Sequence, residues 1–459
     1  MKLPMHNLLL GEGDVNQSRL RTRWTDRLNN KTKELLNEDS TYFFHQSLST
    51  PCLDVIKNAR GAQITTEDGR QLYDFHGNGV HQAGFQHPKI IEAMKQQLDN
   101  LSFSTRRYTN QPAIDFAKKL AQRTPDPLNK VLFAPGATSA IGMALKIARL
   151  STGKFKTLSM WEAFHGASMD ALSVGGEAHF RRDLGPLLPG TIHVPPIQTY
   201  RPNWEGASLD GRQLIQYIGY ILEQESEIGA FIMEPIRNTD VQIPSYPFMK
   251  ELRQVCTTYD VKLIFDETAT GLGRTGKWFA FNHYDIVPDM VVLGKGLGGG
   301  VFPMAALLID EALDTMSYTS IGHYTHEKSP LGASASSAVL DVIEEEKLLI
   351  HTKELGRLAS ERLQRMMENH PLIGDVRQIG LLIAIELVRD RTTKEKAVEE
   401  TEQVMYACLE RGLSFKVSKG NVIQLCPPLI ITKSQLEEAL TILDKALTVV
   451  QEGRSRNEA

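Results

Sequence analysis

The stretch "VVLGKGLGGG", Val291 to Gly300, decides how this chain is read. Three apolar residues mark a strand, and Lys295 then stands between Gly294 and Gly296. Gly294, Gly296 and Gly299 satisfy G-x-G-x-x-G, the pattern of a dinucleotide-binding turn. Such a turn opens a helix and is followed about 20 residues later by an acidic residue at a strand end. Here "GVFPMAALL" puts Pro303 just before another apolar run, which reads as a further strand. That weakens the dinucleotide reading. The alternative is that the glycines clear space around a lysine that is itself the reactive group.

Upstream, "LIFDE" ends an apolar run on Asp266, and 29 residues separate it from Lys295. That is about the length of a strand, a crossover and a strand, so both residues can sit at the carboxyl edge of one sheet. An acid there pairs with a protonated pyridine nitrogen, and a lysine forms an imine with an aldehyde. These are the two handles that pyridoxal 5′-phosphate requires. Taken singly, the two residues read as a helix cap and a surface lysine. On adjoining apolar strand ends they favour the cofactor. "FAPGATSA" follows a strand and opens a helix, so the amides of Gly136, Ala137 and Thr138 can cradle a phosphate. "WEAFHG" offers Phe164 to lie on the pyridine ring, with His165 beside it. A second phosphate motif, "GLGRTGKW" from Gly271, matches G-x-x-x-x-G-K but has Trp278 where a P-loop needs Ser or Thr.

The rest of the chain bounds the function. Its 459 residues bury a large core, and 41% hydrophobic with 23% charged residues is ordinary for a globular protein. A net charge of −4 provides no basic surplus for nucleic acid or an anionic membrane. Cys52, Cys256, Cys408 and Cys426 make no C-x-x-C pair, so reduced thiols and no metal site are expected. The three leucines near the N-terminus are too short a run for a signal peptide, and no run of 18 apolar residues exists. A cytoplasmic enzyme is the expectation.

Short apolar runs alternate with helical patterns, which predicts an α/β fold with a mainly parallel central sheet. Strands are expected at "KVLFA" (130–134), "KTLSM" (156–160), "GAFIMEP" (229–235), "VKLIFDE" (261–267), "DMVVLG" (289–294) and "MAALLI" (304–309). Ile141, Ala144, Leu145 and Ala148 form one apolar helix face. Residues 1–40 read as a polar, irregular N-terminal arm. A large cofactor-binding domain is expected over 75–340, and a smaller α/β domain over 41–74 and 341–459. The latter carries helices at 350–368, 394–411 and 433–451 and strands at 380–387 and 421–425.

These motifs, with "DGRQLYDFHGNGVHQAGFQHP", "IMEP" and "GNVIQLCPPL", run colinearly from about residue 50 to 445. The sequence resembles the class III aminotransferases, a fold-type I family that uses pyridoxal phosphate. The resemblance implies Lys295 as the lysine bonded to the cofactor and Asp266 as partner of the pyridine nitrogen. Phe164 would stack on the ring, Thr268 would cover its other face, and His165 and Glu234 would line it. Gly136, Ala137 and Thr138 would hold the phosphate, joined by Thr325 from a neighbouring subunit of a homodimer.

The departures speak to substrate. Family members commonly read Ser-Gly-Ser-Glu-Ala where this chain has Pro135-Gly-Ala-Thr-Ser139, and Ala269 replaces a common Gln. The arginine that in many members grips the substrate α-carboxylate is Gln424 here, and the loop after "IMEP" reads "IRNTDVQIPS". Without that grip a transaminase reading weakens. Arg237 in the altered loop, and Arg106, Arg107 and Tyr108 of "STRRYTN", offer guanidinium forks suited to a phosphate or phosphonate. The pattern resembles the family's lyase branch. It implies elimination from a small hydroxyl-bearing aminophosphonate, releasing ammonia and phosphonoacetaldehyde in phosphonate degradation. Asp240, His81 and Tyr108 are the candidate acids for the leaving hydroxyl. The alternatives are an ω-aminotransferase using pyruvate, and a phospho-lyase acting on phosphoethanolamine. A cofactor-sensing regulator would need a DNA-binding domain, for which the 40 N-terminal residues are too few.

Overall fold

Runs such as "FIM", "LIF" and "VVL" are apolar at consecutive positions, the pattern of strands buried on both faces. In the computed structural model, which describes residues 18–46, 49–202 and 211–458, they form the middle of a seven-stranded sheet. Its members are β4 (Leu128–Ala134), β5 (Lys156–Met160), β6 (Thr191–Val194), β7 (Ile228–Met233), β8 (Lys262–Asp266), β9 (Met290–Leu293) and β10 (Ala305–Asp310). They lie in the order β4-β10-β9-β8-β7-β5-β6. The pairs from β6 through β9 are parallel, whereas β10 runs antiparallel to both β9 and β4.

Two smaller sheets complete the strand set. β1 (Ile56–Arg60), β2 (Gln63–Thr66) and β3 (Gln71–Asp74) form an antiparallel ladder extended by β14 (Leu413–Ser414). β11 (Ile373–Ile379), β12 (Leu382–Asp390), β16 (Val422–Leu425) and β15 (Lys416–Ser418) make the third sheet, with β13 (Glu395–Lys396) on β12. The expected helices near 350, 394 and 433 are present as Leu348–Asn369, Val398–Glu410 and Lys433–Glu458. The strand β6 and the N-terminal ladder were not legible in the sequence, because these strands are only four or five residues long and their burial does not alternate cleanly.

The expectation of an irregular arm is corrected for residues 18–40; residues 1–17 lie outside the described residues. Helices α1 (Arg19–Arg27) and α2 (Asn30–Tyr42) occupy this region, capped by the side chains of Ser18 and Asn29. Trp24, Leu28, Thr32 and Leu36 recur every four residues and are buried. That narrow seam is enough to dock the helices, and the polar residues around it mask the periodicity. The Trp24 indole donates to the Leu53 carbonyl at 3.1 Å.

Three further helices frame the site: α3 (Pro88–Asn100), α4 (Gln111–Ala121) and α5 (Ala137–Thr152). Helix α5 lies against the central sheet, and its predicted face (Ile141, Ala144, Leu145, Ala148) is buried. Met143 and Ile147 on another side are buried too, with Leu313, Ile321 and Tyr324 packing onto the same cluster. The helix is therefore sandwiched, and its alanines permit close approach to the strands.

Candidate active site

In an open parallel sheet, ligands bind beyond the carboxyl ends of the strands. Here β5, β7, β8 and β9 end side by side and release four loops that carry most of the predicted residues. Asp266 is the last residue of β8, paired in register with Val292 of β9. Lys295 follows two residues after β9 ends, at a backbone φ of 45°, where an ordinary L-residue is strained. The distance in sequence predicted from strand, crossover and strand thus becomes adjacency at one sheet edge.

Asp266 is buried, and its Oδ2 meets Nδ1 of buried His165 at 2.9 Å while Oδ1 accepts from the Thr268 amide at 3.1 Å. Burial alone pushes the Asp266 carboxyl up, but the hydrogen bonds and electrostatic pull of His165 and the hydrogen bonds of Thr268 more than reverse it. The group stays an anion. Lys295 is exposed, yet the dense protein around it lowers its pKa, with Asp266 and Glu234 opposing. A lysine poised toward its neutral form beside a permanent carboxylate is the arrangement an imine-forming aldehyde needs.

The glycines do clear space, though not each for the lysine. A Cβ on Gly79 would approach Lys295 Cδ to 3.2 Å, so that glycine makes room for the side chain itself. A Cβ on Gly296 would lie 1.1 Å from Gln82 Oε1, and one on Gly294 would lie 3.0 Å from Ala137 Cβ and 3.2 Å from Thr268 Cγ2. Gly294 therefore brings the lysine turn, Thr268 and the start of α5 into contact. Gly136 caps α5, so the free amides of Ala137 and Thr138 point out of the helix start. Gly166, at φ 128°, lets the Phe164–His165 loop lie against Thr138. Phe164 is exposed and packs on Phe180 with ring centroids 4.6 Å apart. Carboxylate, amine, helix start and open aromatic face converge, and pyridoxal phosphate fits this donor set.

Glu234 lies one residue beyond β7, whose last pair is Met233 with Phe265, so it continues in register beside Asp266. Its Oε1 accepts from the Asn238 amide at 3.1 Å.

The altered loop is tightly held. Arg237 donates to both oxygens of Asp240 at 2.6 Å and faces Glu162 at 2.9 Å. Asp240 also takes Lys419 at 3.2 Å, and Arg377 donates to its carbonyl at 3.0 Å and pairs with Glu386 at 3.0 Å. Lys419 additionally bonds Glu162. Burial disfavours the Asp240 carboxylate, but Arg237, Lys419 and Arg377 hold it far below the usual range. Gln424 donates to the Asn238 carbonyl. The readings of Arg237 as a free anion fork and of Asp240 as an acid are therefore corrected: each is spent on the other. His81 is corrected as well. It is buried, with Nε2 2.9 Å from the Asp74 carbonyl, and faces Gly77. The nearer imidazole is His76, pushed down to about 4 by burial, with Asp74 opposing and the charges of Lys416 and Lys295 adding to the fall. Its signal in the sequence was its place before the Gly77–Gly79 turn that abuts Lys295.

Arg106, Arg107, Tyr108 and Thr325 are exposed. Phe103 meets His326 with ring centroids at 5.1 Å, Arg106 lies 3.8 Å from Glu327, and Asn110 donates to the Lys328 carbonyl at 3.0 Å. Two motifs read separately in the sequence thus share one outer surface. The stretch that mimicked a P-loop is structural, since buried Arg274 donates to the carbonyls of Leu381 and Pro427.

The aminotransferase class-III family profile matches residues 45–447. The chain belongs to that family of pyridoxal phosphate enzymes. It is 48% identical over 455 residues to the (R)-1-hydroxy-2-aminoethylphosphonate ammonia-lyase of Vibrio splendidus (strain 12B01), covering 96% of this chain and 95% of that relative. It is also 33% identical to the leucine/methionine racemase of Thermococcus litoralis, covering 94% and 98%. The taurine:2-oxoglutarate aminotransferase of Bifidobacterium kashiwanohense, solved with pyridoxal phosphate and glutamate, superposes with a TM-score of 0.85 at 29% identity, covering 92% and 98%. Three reaction types share one scaffold, so the scaffold alone does not select the reaction.

Proposed function

We propose that this protein is a pyridoxal phosphate-dependent ammonia-lyase that converts (R)-1-hydroxy-2-aminoethylphosphonate to phosphonoacetaldehyde and ammonia in phosphonate degradation. The observation that carries the reading is the 48% identity over nearly the whole chain to an ammonia-lyase of that name. Supporting it, Gln424 stands where a carboxylate-gripping arginine is usual and is itself tied to Asn238, and Arg237 is neutralised by Asp240 and Glu162. An α-carboxylate would find no free cation among these.

The cofactor, when bound, supplies an aldehyde carbon and an electron-withdrawing ring. Lys295 would hold it and would be freed as an amine when the substrate amine takes its place. As a neutral amine Lys295 then takes the proton from the carbon bearing nitrogen. Asp266, kept ionised by His165 and Thr268, would hold the proton on the pyridine nitrogen. Ala137 and Thr138 would hold the phosphate at the start of α5, and Phe164, Thr268 and Glu234 would line the ring. The hydroxyl on the neighbouring carbon leaves as water, and that water is returned on hydrolysis, so substrate equals aldehyde plus ammonia. Arg106 and Arg107, on the open surface, receive the phosphonate, with Tyr108 beside them.

The working unit is a cytoplasmic homodimer in which Thr325 of the partner subunit joins the phosphate. Residues 75–340 form the large domain, and 41–74 with 341–459 the small one. The test is ammonia and aldehyde release from cofactor-loaded protein given the substrate without any oxoacid. Sustained turnover establishes the lyase. A single turnover that resumes only with pyruvate makes it an aminotransferase, and release of inorganic phosphate makes it a phospho-lyase.

A further inference from the structure

Glu234 is a group that the proposed reaction leaves without a chemical task. It continues β7 in register with Asp266 on β8, and in-register residues of parallel neighbours point to the same face. Two carboxyl groups therefore stand side by side at the sheet edge. Asp266 has donors on both oxygens, His165 and the Thr268 amide. Glu234 has a donor on Oε1 only, and its Oε2 is buried without a hydrogen-bond partner. A buried carboxylate oxygen without a donor is costly, whereas a protonated one becomes a donor itself. Beside it lies a cavity of about 20 Å³ lined by Glu234, Arg237 and Gln242 among apolar side chains, large enough for one water.

We propose that Glu234 holds the proton of a two-carboxyl pair with Asp266, so that Lys295 faces one negative charge while Glu234 is protonated and two once it is not. The charged groups around Glu234 are Asp266 from β8, His165 from the loop after β5, Lys295 from the turn after β9 and Arg237 from its own loop. Burial pushes Glu234 up to about 7, and Asp266 adds to the rise against His165, the Asn238 amide and Lys295. Two like charges in one site separate their protonation states in this way. Below neutrality the single carboxylate leaves Lys295 easy to deprotonate. Above it, the second carboxylate holds the lysine proton more firmly.

The decisive experiment is infrared difference spectroscopy of the full-length, cofactor-loaded protein against Glu234→Gln across the neutral range. The expected result is a protonated-carboxyl band in the wild type that titrates away near neutrality and is missing from the variant. In parallel, the absorbance titration of the Lys295-bound cofactor moves to lower pH in Glu234→Gln, and Glu234→Asp restores it. Should the Gln variant fail to fold, Glu234→Asp in protein labelled with 13C-glutamate serves instead, since the band then leaves the labelled set. Identical infrared spectra and an unmoved absorbance midpoint overturn the proposal, even if the melting temperature falls. Neither readout depends on which amine is the substrate.

Discussion

Nδ1 of His165 lies 2.9 Å from Oδ2 of Asp266, and both side chains are buried, while Nε2 of the same ring has no hydrogen-bond partner. Among the described residues, Asp266 is thus the hydrogen-bond partner of this imidazole.

Replacing His165 with Ala removes one partner of a buried charged hydrogen bond, a loss of about 1.5–3 kcal/mol. The Asp266 carboxyl then rises and holds the pyridine proton less well. Pyridoxal phosphate affinity, measured by absorbance titration, is expected to fall roughly 10- to 100-fold. Unchanged affinity would mean that Asp266 does not meet the cofactor.

Lys295→Ala removes the amine proposed to bond the cofactor. After borohydride reduction, the wild-type peptide containing residue 295 gains the cofactor mass and the variant peptide does not. Cofactor trapped on another lysine, such as Lys416, would overturn the assignment.

Arg237→Met strips the buried Asp240 and the partly exposed Glu162 of their shared guanidinium, leaving Lys419 to face both. Breaking a buried pair costs about 3–5 kcal/mol. Asp240 has a folded pKa below its unfolded value of about 3.9, so its contribution is present above that pH and is lost as pH falls through the folded value. In the variant the folded value rises, and acid unfolding followed by circular dichroism moves to higher pH.

Arg106→Ala and Arg107→Ala remove exposed cations, so stability changes by less than about 1 kcal/mol. If these arginines hold the phosphonate, KM rises about tenfold or more with urea midpoints unchanged. A KM equal to wild type in both variants removes them from the substrate site.

Gly296→Ala drives a Cβ to 1.1 Å from Gln82 Oε1 and forces that buried amide to move, at about 1–3 kcal/mol. Combining it with Gln82→Ala relieves the clash, and the double variant regains most of the lost melting temperature. Simple additivity of the two losses would contradict the packing.

The apolar strands, the glycine-flanked Lys295, the acid closing "LIFD" and the helix opening after "APGA" are local properties. Each was legible because burial on both faces, backbone approach and helix starts leave marks within a few residues. The seam of α1 and α2 is also local, but four residues among many polar ones were too thin a signal. The ionic lock was not legible at all. Lys419 reaches Glu162 across 257 positions, Gln424 reaches the Asn238 carbonyl across 186, and Arg377 reaches the Asp240 carbonyl across 137. Sequence alone marked Arg237 as a cation. Only the tertiary structure showed that Asp240 and Glu162 neutralise it, because a charge counts for a ligand only after its protein neighbours have been placed.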